Sequence, residues 1–336
     1  MKLKDIGEFG FIDKISRGCL IRPDSIVRAI GDDAAAFKVE ADKLMLVTTD
    51  LLVERVHFLR DATSGFNLGY KSLAVNLSDI AAMGGSAREA FVSIAVPADC
   101  PIEFLENLYQ GMKSLAAEFS VNILGGDTTD SKTDLVINIA VTGTVKNSAI
   151  LLRNTAQVGD VIYSTGFLGD SRAGLHLILN EIAVDSSALK SLLKAHILPK
   201  PYLQEGRFLA ARKNVHAAID VSDGLSSDLG HIVNESRVGA RLYARQIPIS
   251  QQLKTFCSRF AFDAIEFALA GGEDYTLLCT VAPDWAEKIA GEYADTFHQP
   301  LFPVGEITDT GEIELIGVDN KIRKIIPTGW NHFGDI

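Results

Sequence analysis

Apolar residues at Ile6, Phe9, Ile12 and Ile15 return at the interval of a helix face, and the stripe stops near Gly18. After a loop through Pro23, "DKLMLVTTD" (42–50) reads as a strand that ends on Asp50. Residues 65–83 read as one long helix, with Leu68, Ser72, Val75, Asp79 and Ala82 along one face. A strand in "AREAFVSIAVP", a helix in "IEFLENLYQGMKSLAAEF", a short strand and turn in "VNILGGD" and a strand in "DLVINIAVTGTV" follow. That order predicts an α/β or α+β unit with helices over one sheet. The pattern resets across 146–158, which reads as a linker. "DVIYSTG" opens a second unit with helices over 170–181, 187–195 and 201–213. "HAAIDVSDG" is a buried strand ending in a polar turn, followed by a helix from Ser226 to Glu235; "EDYTLLCTV" reads as a strand and "DWAEKIAGEY" as a helix. There is no tandem period, which argues against a solenoid.

Composition narrows the class. A chain of 336 residues is too long for one ordinary core and comfortable for two. With 47% apolar and 22% charged residues, it is a compact folder rather than a disordered chain. The net charge of -11 disfavours nucleic acid as a partner, because no basic stripe offsets it. An acidic protein still meets an anionic nucleotide when divalent cations stand between carboxylates and phosphates. Cys19, Cys100, Cys257 and Cys279 form no CxxC pair, which fits buried thiols in a reducing compartment. With neither a leader nor an apolar run near the length of a membrane span, the expected location is the cytoplasm, with no membrane partner.

Candidate chemistry lies in four acidic turns: "GDDAAAF" (31–37), "TTD" (48–50), "GGDTTD" (125–130) and "DVSDG" (220–224). A fifth carboxylate, Asp79, sits inside the apolar helix, where it needs a partner or a metal. Singly, each has an ordinary reading as a turn or cap residue. Together, carboxylates without matching Lys or Arg repel one another unless cations lie between them. Oxygen donors alone suit Mg²⁺ or Mn²⁺, whereas zinc wants His or Cys at close spacing, and the sequence holds no HExxH. "GFNLGYKS" (65–72) imitates a phosphate loop but lies within a helix pattern with no strand before it. The glycines of "NILGGDTT" and "STGFLGDS" let backbone N–H groups approach phosphate. His57 either satisfies a buried hydrogen bond or, with Arg55, meets a phosphate; Arg153 either folds over a phosphate or makes a salt bridge between domains.

Taken together, GDDAA, TTDLLVERVHF, LGYKSLAVNLSDIAAMGG, ILGGDTT, IDVSDGLSSDL and GGEDYTLL resemble the thiamine-monophosphate kinase family, in the right order over most of the chain. The resemblance implies the two-domain fold of the aminoimidazole ribonucleotide synthetase superfamily. In it, 1–148 form an α/β domain that binds ATP and Mg²⁺ and pairs with its copy in a homodimer, and 149–336 form an α+β domain completing the active-site cleft. It also implies ATP-dependent phosphorylation of thiamine monophosphate to thiamine diphosphate with several Mg²⁺ ions. By matched motif, Asp33, Thr48, Thr49, Asp50, Asp79, Asp127, Asp220 and Asp223 would hold metals. Among these, Asp50, Asp79, Asp127 and Asp220 would carry the catalysis. Asp33, Thr48, Gly126, Asp127, Arg153 and Ser222 would serve the nucleotide and its cations. Asp50, His57, Glu273 and, by position, Trp330 would face thiamine monophosphate. Arg55 replaces the small residue usual between Glu and Val of the VHF motif.

The acceptor phosphate is already ionised near neutral pH, so direct in-line transfer needs no general base, and the obstacle is the approach of one anion to another. Rival readings keep the fold and change the acceptor, as in aminoimidazole ribonucleotide synthetase or selenophosphate synthetase; Cys19 lacks the Gly-rich setting the latter wants. A Mg-nucleotide sensor without turnover is the non-enzymatic rival.

Overall fold

The computed structural model describes residues 14–15, 17–28, 36–37, 42–327 and 329. Most of the expected helix over 6–15, together with Asp33 and Trp330, lies outside them. The chain divides into two compact units: residues to Ile80 with Gly85–Ser148, and Ala81–Gly84 with Ala149 onward.

In the first unit, a two-stranded pair, β1 (Ile26–Arg28) with β2 (Ala36–Phe37), precedes a four-stranded sheet. This sheet is ordered β3 (Lys43–Val53), β6 (Val136–Lys146), β4 (Ser86–Pro97), β5 (Asn122–Ser131). β4 and β5 run parallel, joined through α2 (Ile102–Phe119), while β6 is antiparallel to both its neighbours. Alternation sends Leu46, Leu52, Ile137, Ile139, Val141, Val92 and Ile94 to a buried face. On the opposite face Val47 is 70% and Leu51 52% exposed.

The register corrects two expectations. Asp50 does not end its strand, because β6 offers partners as far as Val53 opposite Val136. "GGDTTD" is not a turn either, since it pairs with β4 as part of β5 out to Ser131.

Helix α1 (Gly65–Ala82) is buried almost throughout, including the polar Lys71, Ser72, Asn76 and Ser78, and therefore lacks the single wet face of a surface helix. It crosses α2 at very short range: a Cβ on Gly69 would stand 1.7 Å from the backbone oxygen of Leu108. Helix propensity alone favours Ala over Gly by about 1 kcal/mol. The crossing reverses that sign, so Gly69→Ala is expected to destabilise the protein by about 3 kcal/mol. Denaturant unfolding measures this, and a midpoint at or above wild type contradicts the close crossing.

The second unit is a seven-stranded sheet in the order β13 (Ile322–Ile325), β12 (Ile313–Ile316), β9 (Gly239–Tyr243), β11 (Phe302–Thr308), β7 (Val161–Ser164), β10 (Leu277–Val281), β8 (Val215–Asp220). Only the β12–β9 pair is parallel. Ile162, Ile219, Leu229, Leu242, Leu278 and Val304 belong to its main core. Helices α3 (Asp170–Leu179), α4 (Ser187–Ile197) and α7 (Gln251–Phe260) enclose a smaller core around Leu177, Leu192 and Phe256. The other helices are α5 (Leu203–Ala210), α6 (Leu225–Ser236), α8 (Ala264–Ala270) and α9 (Pro283–Phe297).

The stretch expected to be a linker is held in place. Ala218 N donates to Leu152 O at 3.3 Å, Thr155 Oγ1 to His216 O at 2.6 Å and Ser236 Oγ to Arg153 O at 2.8 Å. The strand expected from Glu273 begins only at Leu277, because Glu273 and Tyr275 adopt φ of 64° and 53°. Among the described residues no helix is long and apolar enough to cross a membrane.

Candidate active site

Strand β3 and helix α1 bring Thr48, Asp50 and Asp79 together. Thr48 Oγ1 donates to Asp79 Oδ2, and Asp50 N donates to Asn76 Oδ1 at 3.1 Å. Asn76 is oriented in turn by its amide nitrogen, which donates to Ser72 O at 3.1 Å. Thr48 and Asp50 share a face because strand side chains alternate, and Asn76 and Asp79 share one because they are three apart on a helix. Thr49 belongs to the other face, where its hydroxyl accepts a 2.9 Å bond from Asn138 Nδ2.

Gly126 and Asp127 stand elsewhere in the same unit. The register runs Asp50, Ile139, Val92, Gly126 across the sheet, with Asp127 one residue further along opposite Ser93. Three strand spacings make about 14 Å, beyond the reach of one cation with ligand bonds of about 2–2.6 Å. Asp50 and Asp127 of one chain therefore do not hold the same ion. Asp127 is exposed, and its Oδ1 accepts from Thr128 N at 3.0 Å.

The loop after β3 holds His57, whose Nδ1 accepts from Val53 N at 3.0 Å. The neutral ring consequently carries its proton on Nε2. Arg55, at φ 68°, sends its guanidinium to Asp134 at 2.5 Å; the pair holds the Asp134 carboxyl below the usual range and takes up the positive charge expected for a phosphate.

In the second unit, β8 delivers Asp220, which is 3% exposed, to a loop running into α6. That loop is laced to the segment before β10: Val221 N donates to Thr276 O, Tyr275 N to Val221 O and Glu273 N to Ser222 O, each at 2.8 Å. Asp228, in the first turn of α6, accepts from Asp223 N at 3.1 Å and Gly224 N at 2.9 Å, both on Oδ2. Donor atoms of Asp223, Asp228 and His231 lie within 4.8 Å of one another, a set able to hold a cation. Burial, and after it repulsion by Asp220, pushes the Asp228 carboxyl up to about 8. Ser222 is partly buried in this loop and Arg153 is exposed in a short 3-10 turn.

The raised Asp228 pKa has a definite sign. Between about pH 4 and 8 the folded protein keeps a proton that the unfolded chain has lost. This contribution is complete below the unfolded value and disappears as pH rises through about 8. Asp274 and Asp170, raised by burial to about 8 and about 6, act in the same direction. In the presence of a chelator, the melting temperature is expected to fall from pH 5 to 8 and Asp228→Asn to reduce that slope, since one amide oxygen accepts both loop bonds. An unchanged slope contradicts the assignment.

Sequence reading missed Asn76, Asp228, His231 and Asp274. Asp228 had a signal, an acid in the first turn of a helix that follows a glycine. Asp274 had none, because the N–H groups of Gly169 and Ser171 that it accepts from are more than 100 residues away.

Residues 31–145 match the family model of AIR synthase related protein, N-terminal domain, and residues 157–318 that of the C-terminal domain. The two-domain mixed architecture is thus that of AIR synthase-related proteins. Over 99% of its length the chain is 34% identical to thiamine-monophosphate kinase from Aquifex aeolicus (strain VF5), covering 100% of that protein. Against the Escherichia coli (strain K12) thiamine-monophosphate kinase it is 37% identical over 97% of this chain and 98% of that one. The crystal structure of thiamine-monophosphate kinase from Stenotrophomonas maltophilia K279a matches with a TM-score of 0.83 at 36% identity, over 92% of this chain and 96% of that one. AaThiL complexed with AMPPCP and TMP matches at 0.78 and 31%, over 99% of each chain. The chain belongs to the thiamine-monophosphate kinase family. Escherichia coli HypE, at 0.79 and 18% identity, shares the fold alone.

Proposed function

We propose that the chain transfers the γ-phosphoryl group of ATP to the phosphate of thiamine monophosphate, giving thiamine diphosphate and ADP. The observation that carries this reading is family membership along nearly the whole chain, joined to the Thr48–Asp50–Asp79 cluster. Bound Mg²⁺ ions, favoured by all-oxygen donors, neutralise the phosphates and the charge spread over the transferred group. Thr48, Asp50 and Asp79 hold such ions in the first unit, while Thr49, whose hydroxyl meets Asn138 on the other face, is assigned to metal from sequence alone. Asp220 and Asp223 hold them in the second. Gly126, Asp127, Arg153 and Ser222 meet the nucleotide and its cation. His57, offering Nε2–H, meets the acceptor, and Glu273 complements the cationic thiamine ring system. Asp33 and Trp330 are assigned to metal and thiamine from sequence alone. No base is required, because the attacking oxygen is already ionised.

The apolar open face of the four-stranded sheet, with Val47 and Leu51, supports a homodimer through this surface. Four buried free cysteines favour the reducing cytoplasm.

Product analysis with Mg–ATP tests the function. Thiamine monophosphate is expected to yield thiamine diphosphate with one ADP per product, while free thiamine is left unchanged. Turnover of free thiamine alone, or ADP formed without thiamine diphosphate, contradicts the proposal.

A further inference from the structure

Two neighbouring carboxylates on the loop before β10 go separate ways. Asp274 turns inward and accepts from Gly169 N at 2.6 Å and Ser171 N at 3.1 Å, at the start of α3. Glu273 keeps 28% of its side-chain surface, and its Oε2 lies 3.2 Å from His196 Nδ1. The same nitrogen is 3.0 Å from Ser171 Oγ. His196, in the last turn of α4, is 5% exposed, and Ser171 is 1% exposed. A buried hydroxyl and imidazole thus connect the fixed start of α3 to a half-exposed glutamate.

The chemistry of this chain selects a tautomer. A ring-nitrogen lone pair 3.2 Å from a carboxylate oxygen is repelled, whereas a protonated Nδ1 is attracted to it, so Glu273 favours the proton on Nδ1. Ser171 Oγ lies within reach of the same N–H, and its backbone is fixed by Asp274. The loop backbone is held independently by the bonds of Glu273 N to Ser222 O and Tyr275 N to Val221 O, which keep Glu273 at φ 64°. With its backbone pinned, what remains to be set at Glu273 is the direction of a long side chain. An unrestrained glutamate loses that rotamer freedom when it binds a ligand.

We propose that His196 is a positioning residue for the acceptor. Through Nδ1–H it holds the Glu273 carboxylate in the orientation that meets the cationic thiamine moiety, setting affinity for thiamine monophosphate without entering phosphoryl transfer. This rests on the proposed kinase reaction with Glu273 on the thiamine side. A histidine that only fills the space between α3 and α4 would disturb stability, with no preference between the two substrates.

Steady-state kinetics on the full chain separate the cases, using wild type, His196→Ala, His196→Asn, Glu273→Gln and the double variant His196→Ala/Glu273→Gln. Loss of this polar contact with a charged group predicts a KM for thiamine monophosphate about tenfold higher in His196→Ala, with kcat and the KM for ATP within about twofold. His196→Asn places an amide N–H where Nδ1 stood and restores that KM to within about threefold of wild type. In the Glu273→Gln background, His196→Ala adds nothing further. If the alanine variant does not fold, His196→Leu, similar in bulk and without a donor, is read in its place. Equal rises in both KM values, or single effects that multiply in the double variant, overturn the proposal. A wild type with no activity on thiamine monophosphate overturns the kinase reading itself, which is a different result from an active wild type whose variants break this pattern.

Discussion

Asp79→Asn is expected to lower kcat by at least about a thousandfold, ~4 kcal/mol of barrier, while leaving the unfolding midpoint near wild type. The substitution preserves volume, and the amide oxygen still accepts from the Thr48 hydroxyl that now bonds Asp79 Oδ2. Only the negative charge is lost. Asp79 sits on a helix otherwise buried along most of its length, and it faces the strand that carries Asp50. A charge kept in such surroundings calls for a positive partner. If that partner is a cation on the phosphates, raising Mg²⁺ restores part of the lost rate. A fall in kcat of less than about tenfold places Asp79 outside the reaction and makes it a structural partner of Thr48.

Gly126→Ala carries the second large effect, which is steric. Gly126 has φ +154°, and a Cβ there would stand 1.7 Å from Val92 O and 2.7 Å from Val92 N, both backbone atoms of β4. Neither can move as a flexible side chain would. Because β5 is an edge strand, the strain is relieved by pushing it away from β4, which carries Asp127 with it. Expected are a loss of about 2–3 kcal/mol in stability and a KM for ATP at least about tenfold higher. Gly125→Ala is the control, since its Cβ would meet nothing within 4 Å. Equal behaviour of the two variants contradicts the role given to this strand.

These variants also mark what the sequence made legible. Helix 65–83 was readable because an apolar run of that length between glycines has few other solutions, and the structure has α1 at Gly65–Ala82. The carboxylates were readable as motifs, but their settings were not. "TTD" and "GGDTTD" read as turns because Thr, Gly and Asp favour turns locally; pairing with β6 and β4, distant in sequence, makes them strands. The segment from Glu273 read as a strand from its aromatic and β-branched residues, yet bonds to Val221 and Ser222 hold Glu273 and Tyr275 in left-handed backbone. His196 gave no signal, because its partners Ser171 and Glu273 come from other elements. The short strands β9 and β11–β13 and the helices α7 and α8 were equally unmarked, their order in the sheet and core being set by packing partners far along the chain.

The central claim is that these carboxylates act by holding divalent cations. Counting bound Mn²⁺ by electron paramagnetic resonance, with a non-hydrolysable ATP analogue and thiamine monophosphate present, tests it most directly. Wild type is predicted to bind several ions per chain, and Asp79→Asn and Asp220→Asn each to lose at least one. Variants that lose activity while binding as many ions as wild type, with the same affinity, would contradict it.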